Sequence, residues 1–462
     1  MLPAVRSLLR FETLPKVVRW VQTPAGRVLL VVLFCAMAVF HGLPAIPLCL
    51  ALSAVSLLPQ RRRILIAAAT LFWLLGRIPG SWAALVVVFV AMWLVLSLFQ
   101  VQPGHSLFRH PIRNLLVLYI ALVAAASYVP VTPFVKATLW AALAIAGKYL
   151  WFLCYALSDK KGVTRQSPLL TLSRFQPFWG SSNVPFPKGE ANLDRIEAKN
   201  DEQLAICQLR GIELMIWSTF LLAALAFLDW WTQHPWPAAI YSGSLHWPTR
   251  IVQLNEAIEC NKNGMPLPRW DCWLAVLANF VRKILVVSTW GNTIIATCRM
   301  AGFNAVRNTR KPLSSTTIAE FYNRLYYYFK ELLVTFFFYP TYFRFFKKHP
   351  RVRVFVATLA AAGFGNALFH FLRDIDYITQ FGIGGALVRF QVYLVYTLLL
   401  GVAIAISQLR SLGGHAHGGA ITGPLVVLAF YCLVMILDDP RRDWTIRVYF
   451  SFIVNLFLPF SR

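Results

Sequence analysis

Charged side chains are scarce in this chain of 462 residues: Asp, Glu, Lys and Arg make up 14% of it, against about 25% in soluble domains. Acid is scarcer still, with 19 Asp and Glu against 44 Lys and Arg, a formal charge of +25. The first shortage excludes an ordinary water-soluble enzyme. Motifs are missing too: there is no GxGxxG, P-loop, HExxH or GxSxG. That argues against a dinucleotide fold, a phosphate-cradling loop, a zincin and a serine elbow. There is no CxxC, and the eight cysteines are scattered. Cys35, Cys49, Cys154 and Cys432 lie in apolar runs and read as packing residues. Cys260 and Cys272 bracket a loop and could pair in an oxidising compartment. The first long apolar run comes only after residue 27 and has no evident small-residue cleavage site, so no cleavable leader is expected.

What is present is apolar sequence: 58% hydrophobic and 15% aromatic residues, with mean hydropathy +0.59. The runs are long and do not alternate, which predicts helices rather than a barrel. The expected fold is all-α, a polytopic membrane bundle of about eleven or twelve passes. Several runs fall short of the roughly 20 residues that a straight span needs, so short, tilted or re-entrant helices are expected. The cations cluster in the connections, where anionic headgroups and the positive-inside bias account for them. Membrane lipids, not nucleic acid, are their expected partners.

Four segments follow in order. Residues 1–27 place Arg6, Arg10, Lys16, Arg19 and Arg27 among apolar side chains, a basic amphipathic stretch suited to a membrane surface. Residues 28–144 hold apolar runs near 28–58 (two short passes around Gly42-Leu-Pro44), 64–78, 82–100 and 114–129, with a further run from 132 to 157 crossing into the next segment. Residues 145–408 form the expected core, and 409–462 the C-terminal runs near 420–437 and 447–460. Within the core, a polar excursion over 158–210 predicts an aromatic-proline piece, Phe178 to Pro187, and a charged surface helix from Lys188 to Arg210. Runs near 211–230 and 272–298 flank a Trp- and Pro-rich interfacial loop from Trp230 to Trp270, whose His234 and His246 lack metal-ligand spacing. Next come an aromatic stretch over 318–346 and runs at 354–372 and 383–408. His415 and His417 sit in a Gly-rich loop without Cys or carboxylate company, so no metal site is expected.

The stretch Gly363-Phe-Gly-Asn-Ala-Leu-Phe-His370-Phe-Leu-Arg-Asp374 stands out. On a helix, Asn366, His370 and Asp374 share one face. An imidazole there could be oriented by the carboxylate and present its other nitrogen to a substrate. The plain alternative is a buried histidine satisfied by neighbours, with Asp374 paired to Arg373 or another cation. Ionisable groups in membrane-length apolar sequence are costly and usually functional, which favours the first reading.

Residues 272–321 resemble the core of the membrane-bound O-acyltransferase family, particularly its bacterial branch of alginate O-acetylases and teichoic-acid D-alanyl transferases. The resemblance is carried by Cys272-Trp-Leu-Ala-Val-Leu-Ala, Ser288-Thr-Trp-Gly-Asn292, Arg299-Met-Ala-Gly-Phe303, Asn308, Pro312 and Ile318-Ala-Glu-Phe321. It extends forward to Tyr339-Pro340 and Leu368-Phe-His370, and back to the Lys148–Asp159 stretch and the Phe178–Pro187 loop, roughly residues 145–405 in order. There are departures. Arg324-Leu325-Tyr326 stands where the family signature reads Arg-Trp-His, Asn292 replaces an acidic residue, and Phe371 replaces a glycine after the histidine. One site histidine is missing and the other is retained, which favours a divergent enzyme over a silent one.

The resemblance implies acyl transfer from a thioester, acyl-CoA or an acyl carrier protein, to a hydroxyl, with no resident cofactor. An alcohol needs a base near neutral pKa as it attacks, and His370 is the expected base, oriented by Asp374 if the helix reaches it. Asn366, Asn323 or Tyr326 are the expected oxyanion donors. Arg307, Arg310 and Lys311 suit the phosphates of CoA or an acidic carrier, although ordinary positive-inside loops explain them equally well. The expected setting is a bacterial inner membrane, with a cell-envelope polysaccharide, a lipid or a small molecule as acceptor and envelope-biosynthesis proteins as partners. A transporter or flippase would show internal repeats, and none is visible. A silent scaffold of a surface-polymer assembly complex is the other alternative.

Overall fold

In apolar surroundings each backbone N–H and C=O must be satisfied within the chain, and a helix does this segment by segment. The computed structural model describes residues 10–77, 82–158, 167–175, 179–180, 189–234, 250–413, 422–438 and 444–458. These residues are overwhelmingly helical and contain no strand, only an isolated bridge between Glu197 and Phe303. Among them, seven helices are long and apolar enough to cross a membrane. They are Trp82–Val101, Pro111–Tyr128, Pro133–Ser158, Asp201–Gln233, Arg269–Met300, Pro350–Arg373 and Tyr377–Leu412. The pair Pro15–Val21 and Pro24–Phe40, bent by 95°, is an eighth candidate, and Ala45–Leu57, Thr422–Val434 and Ile446–Phe457 are shorter apolar helices. The chain is an all-α polytopic integral membrane protein. The seven, the bent pair and the three short helices together make eleven apolar segments among the described residues, in line with the expected eleven or twelve passes that include short ones.

Packing groups the described chain into two units that are discontinuous in sequence, whereas the segments expected from the sequence are contiguous. The first comprises Met1–Thr219, Trp290–Asn308 and Leu372–Ile383. Its Pro24–Phe40 helix starts on a Thr23 cap, whose hydroxyl accepts from the Gly26 N–H at 3.1 Å. Gly26 is required at that bend, because a Cβ there would lie 2.2 Å from the Trp20 carbonyl oxygen. The two short passes expected around Gly42 are present as Pro24–Phe40 and Ala45–Leu57, separated by His41 and by Gly42 at φ +68°. Trp82–Val101 packs on Pro133–Ser158 through Leu85, Val88, Met92, Leu96 and Phe99 against Tyr149, Phe152, Leu153 and Ala156.

The charged piece expected as a surface helix is two structures. Glu190–Ile196 is a short helix, and Asp201 opens the 33-residue Asp201–Gln233 helix. Asn200 caps that helix by accepting from the Gln203 N–H at 2.8 Å, and Asp201 and Glu202 complement its positive end. Of the polar residues in its first turns, Gln208 enters the interior because it is paired there. Gln208 donates to Ser56 Oγ at 2.7 Å and to the Met300 carbonyl at 3.1 Å. Arg27 meets Asp201 at 2.7 Å, and Arg62 meets Glu197 at 3.3 Å. Burial pushes the Arg62 guanidinium below its ordinary pKa, and the Glu197 carboxylate opposes that shift.

The second unit comprises Phe220–Thr289, Thr309–Phe371 and Gly384–Arg462. The aromatic stretch expected over 318–346 is not one helix. It runs Ile318–Leu325, breaks at Tyr326 (φ −123°, ψ 55°), resumes as Tyr327–Leu333, passes through a π-helical Val334–Phe338 and ends in Tyr339–Arg344. Cys260 and Cys272 are free thiols, the latter directed at the Leu267 carbonyl at 3.7 Å.

Candidate active site around His370

An irregular helix carries His370. Pro350–Thr358 is α-helical, Leu359–Gly365 is π-helical, and Asn366–Arg373 is α-helical again. A π turn widens the helix and occurs mostly at functional sites. The small residues Ala360, Ala361, Ala362, Gly363 and Gly365 let neighbours close on the widened turn. A Cβ on Gly365 would stand 2.6 Å from the Phe337 ring, and one on Gly401 would stand 2.8 Å from the Gly363 backbone nitrogen. Phe337 itself belongs to the other π segment, so two irregular turns meet at this point.

Downstream of them, the His370 imidazole is half-buried among rings. Its centroid lies 4.8 Å from Tyr393, 5.3 Å from Phe369 and 5.6 Å from Phe329. Asn366, one turn earlier, is 2% exposed, and the Tyr393 hydroxyl donates to its Oδ1 across a long 3.5 Å. Phe371 meets Phe390 edge-on at 5.2 Å. An imidazole in such a place can take up and return a proton, and an adjacent amide can donate hydrogen bonds.

The other expected site residues divide. Tyr326 sits in the helix break with its ring 5.4 Å from Tyr322. Burial pushes both phenols above their ordinary pKa, and the Asp438 carboxylate adds to the effect at Tyr326. Both therefore stay protonated and can donate. Asn323 is exposed, on a helix whose buried face is Phe321, Tyr322 and Leu325. Asp374 lies beyond the helix end at Arg373 and is bound by the Arg373 guanidinium at 2.9 and 3.4 Å. That is the ion pair anticipated as the plain alternative, and it corrects the picture of three residues on one helical face. Arg307, in the first unit, meets Glu213 at 2.7 Å. Arg310 and Lys311, in the second, are exposed, with Lys311 at φ +47°. Of the three expected donor-binding cations, Arg307 is therefore already paired within its own unit. His234 stacks on Trp230 at 5.7 Å. His246, His415, His417 and most of the Phe178–Pro187 loop lie outside the described residues. Among the described residues no group of three or more His, Cys, Asp or Glu could hold a metal.

Sequence reasoning passed over Tyr393 and Tyr396. Their signal was a Tyr-x-x-Tyr spacing inside an otherwise aliphatic run, one face of a helix. It also passed over His41, whose two ring nitrogens meet Thr219 Oγ1 at 3.2 Å and Thr293 Oγ1 at 3.0 Å. The only cue was a lone histidine beside Gly42 at a helix break. No family model matches the chain, and no curated protein matches it.

Proposed function

We propose that the protein is a membrane-embedded O-acyltransferase that moves an acyl group from a thioester, acyl-CoA or acyl carrier protein, to a hydroxyl, with His370 as general base. The observation that carries this reading is the half-buried His370 imidazole, one turn after a π-helical segment, walled by Phe329, Phe369 and Tyr393 with Asn366 behind it. His370 takes the acceptor proton as the acceptor oxygen attacks the thioester carbonyl. The C–S bond then breaks, and the imidazolium returns the proton to the departing thiolate, giving ester and free thiol. No covalent enzyme intermediate is needed, in keeping with the missing serine elbow. Asn366 and the protonated Tyr326 are the candidate donors to the developing oxyanion. The resemblance around Cys272–Phe321 supports the same chemistry and is the ground for reading the setting as a bacterial inner membrane.

The test is thiol release and label transfer from a radiolabelled acyl thioester by purified protein. His370→Gln should lower turnover by about 10²–10⁴-fold and leave the unfolding temperature within the range of a surface substitution. Full activity in His370→Gln ends the proposal. So does substrate movement across a vesicle without bond cleavage, which would mark a transporter.

A further inference from the structure

The turn between Tyr339–Arg344 and Pro350–Thr358, where the Pro350–Arg373 span begins, carries charge with no counterweight. Residues 332–373 contain no Asp or Glu, and Arg344, Lys347, Lys348, Arg351 and Arg353 all fall between 344 and 353. Among the described residues no carboxylate pairs with any of these five. By contrast, Arg63 meets Asp194 at 3.0 Å, Arg282 meets Asp229 at 2.6 Å, and Arg250 is held by Glu256. The fold uses two of the five. The Arg353 guanidinium lies 3.8 Å from the Tyr342 ring centroid and donates to the Tyr342 carbonyl, tying the two arms together. That of Arg344 lies 5.4 Å from the Phe345 ring. Lys347, Lys348 and Arg351 are exposed. So are the rings beside them, Phe343 at 62% and Phe345 and Phe346 at 48% each. Phe346 stands at φ +51°, a left-handed conformation that glycine takes freely and a bulky residue does not. A turn that only reversed the chain would carry glycine there.

We propose that residues 343–353 form a docking surface for anionic phospholipid, with Lys347, Lys348 and Arg351 on the headgroup phosphates and the rings of Phe345 and Phe346 in the acyl boundary beneath. The binding is independent of the chemistry at His370. Open rings beside unpaired cations, at the end of a membrane span, match the layer where phosphates meet acyl chains. Charge selects the lipid: each Lys or Arg near the surface favours an anionic over a zwitterionic headgroup about fivefold. A second copy of this chain would bring the same positive charge and be repelled. A soluble phosphate or an acidic protein segment would answer the cations and leave the rings in water.

The full chain in a neutral maltoside detergent is titrated with dioleoylphosphatidylglycerol or dioleoylphosphatidylcholine, and amide hydrogen exchange over residues 343–353 is followed by mass spectrometry. The anionic lipid should slow exchange there at a mole fraction at least about tenfold lower than the zwitterionic one needs, and about 0.5 M NaCl should narrow that gap. Lys347→Gln combined with Lys348→Gln should raise the phosphatidylglycerol requirement about tenfold or more. Arg250→Gln combined with Arg282→Gln removes the same charge from paired positions and should leave the requirement unchanged. Phe346→Gly should need about threefold more of either lipid and, without lipid, melt at or above the parent temperature. The docking surface is overturned if both lipids protect the turn alike, if neither does, or if the double Lys variant behaves as the parent. It is equally overturned if glycerol 3-phosphate or poly-glutamate protects the turn as well as the lipid does, which would mark a soluble anion or an acidic protein as the occupant. A Phe346→Gly protein that melts earlier, or binds as the parent does, overturns the seating of the rings.

Discussion

Gly401→Ala tests whether close backbone contact sets the geometry ahead of His370. A Cβ at Gly401 would lie 2.8 Å from the Gly363 nitrogen and 3.0 Å from its Cα, where ordinary contact begins at 3.4 Å. Both colliding atoms are backbone, so no rotamer change relieves them; only the Leu359 Cδ1 contact at 3.2 Å can swing away. Overpacking of this kind costs about 1–3 kcal/mol, while alanine over glycine within a helix returns up to about 1 kcal/mol. The collision wins, with a net loss of about 1–2 kcal/mol. One kcal/mol moves the Tm of a 150–250-residue domain by about 2–4 °C and that of a longer chain by less. A fall of about 1–4 °C is therefore expected in thermal unfolding followed by tryptophan fluorescence. Gly384→Ala on the same Asp376–Leu412 helix is the control. Nothing lies within 4 Å of a Cβ there, so only the propensity gain remains and Tm should hold or rise. Gly363 precedes His370 on one continuous helical run, and a misplacement near 1 Å can cost about 10²-fold in rate. Thioester turnover should therefore drop in Gly401→Ala and not in Gly384→Ala. A Gly401→Ala protein at least as stable and active as Gly384→Ala would refute the reasoning.

Two further outcomes are expected. Asp374→Asn should change stability by no more than about 1 kcal/mol, because the Arg373–Asp374 pair is partly exposed, and thioester turnover should stay within about fivefold of the parent, the rate equivalent of the same energy. A collapse of turnover with intact fold would restore Asp374 as the group that orients His370. Arg62→Ala should cost about 1–3 kcal/mol in denaturant or thermal unfolding, since the partly buried Glu197 carboxylate loses one guanidinium and keeps Arg63 at 3.2 Å; a loss near zero would show that Arg63 and water satisfy that carboxylate without Arg62.

The apolar helices were readable because membrane-length runs leave little else for the backbone to do. Runs such as 82–100 and 132–157 lie within a residue or so of Trp82–Val101 and Pro133–Ser158. Where polar residues are paired in the interior, composition misled. Asp201 to Arg210 reads as surface, yet Gln208 is buried there because Ser56 and Met300 satisfy it, while exposed Asp201 reaches the buried Arg27. Those partners are remote in sequence, so local pattern carries no trace of them. His370 and Asn366 were legible from spacing alone. Asp374 was not, because periodicity does not record that the helix stops at Arg373. The phenols at 393 and 396 were visible as residues but not as company for His370, since their meeting depends on the fold of the second unit.

The irregularities of that unit share one physical origin. In apolar surroundings a helix keeps its hydrogen bonds unless something else takes its place, so each departure needs a local cause. At Leu359–Gly365 the cause is bulk pressed against absence of bulk: Phe337 occupies the space that a Cβ on Gly365 would need, and Gly401 brings its backbone against Gly363. At Tyr326 the break lets the chain restart as Tyr327–Leu333, which carries Phe329 to the imidazole. One departure shapes the helix that bears His370 and the other delivers the Phe329 ring that packs against it. Regular helices at both places would keep the same residues but give them a different rotation about the helix axis, about 100° for each residue gained or lost in register. The chemistry proposed for His370 thus depends on glycines and a helix break that touch no substrate.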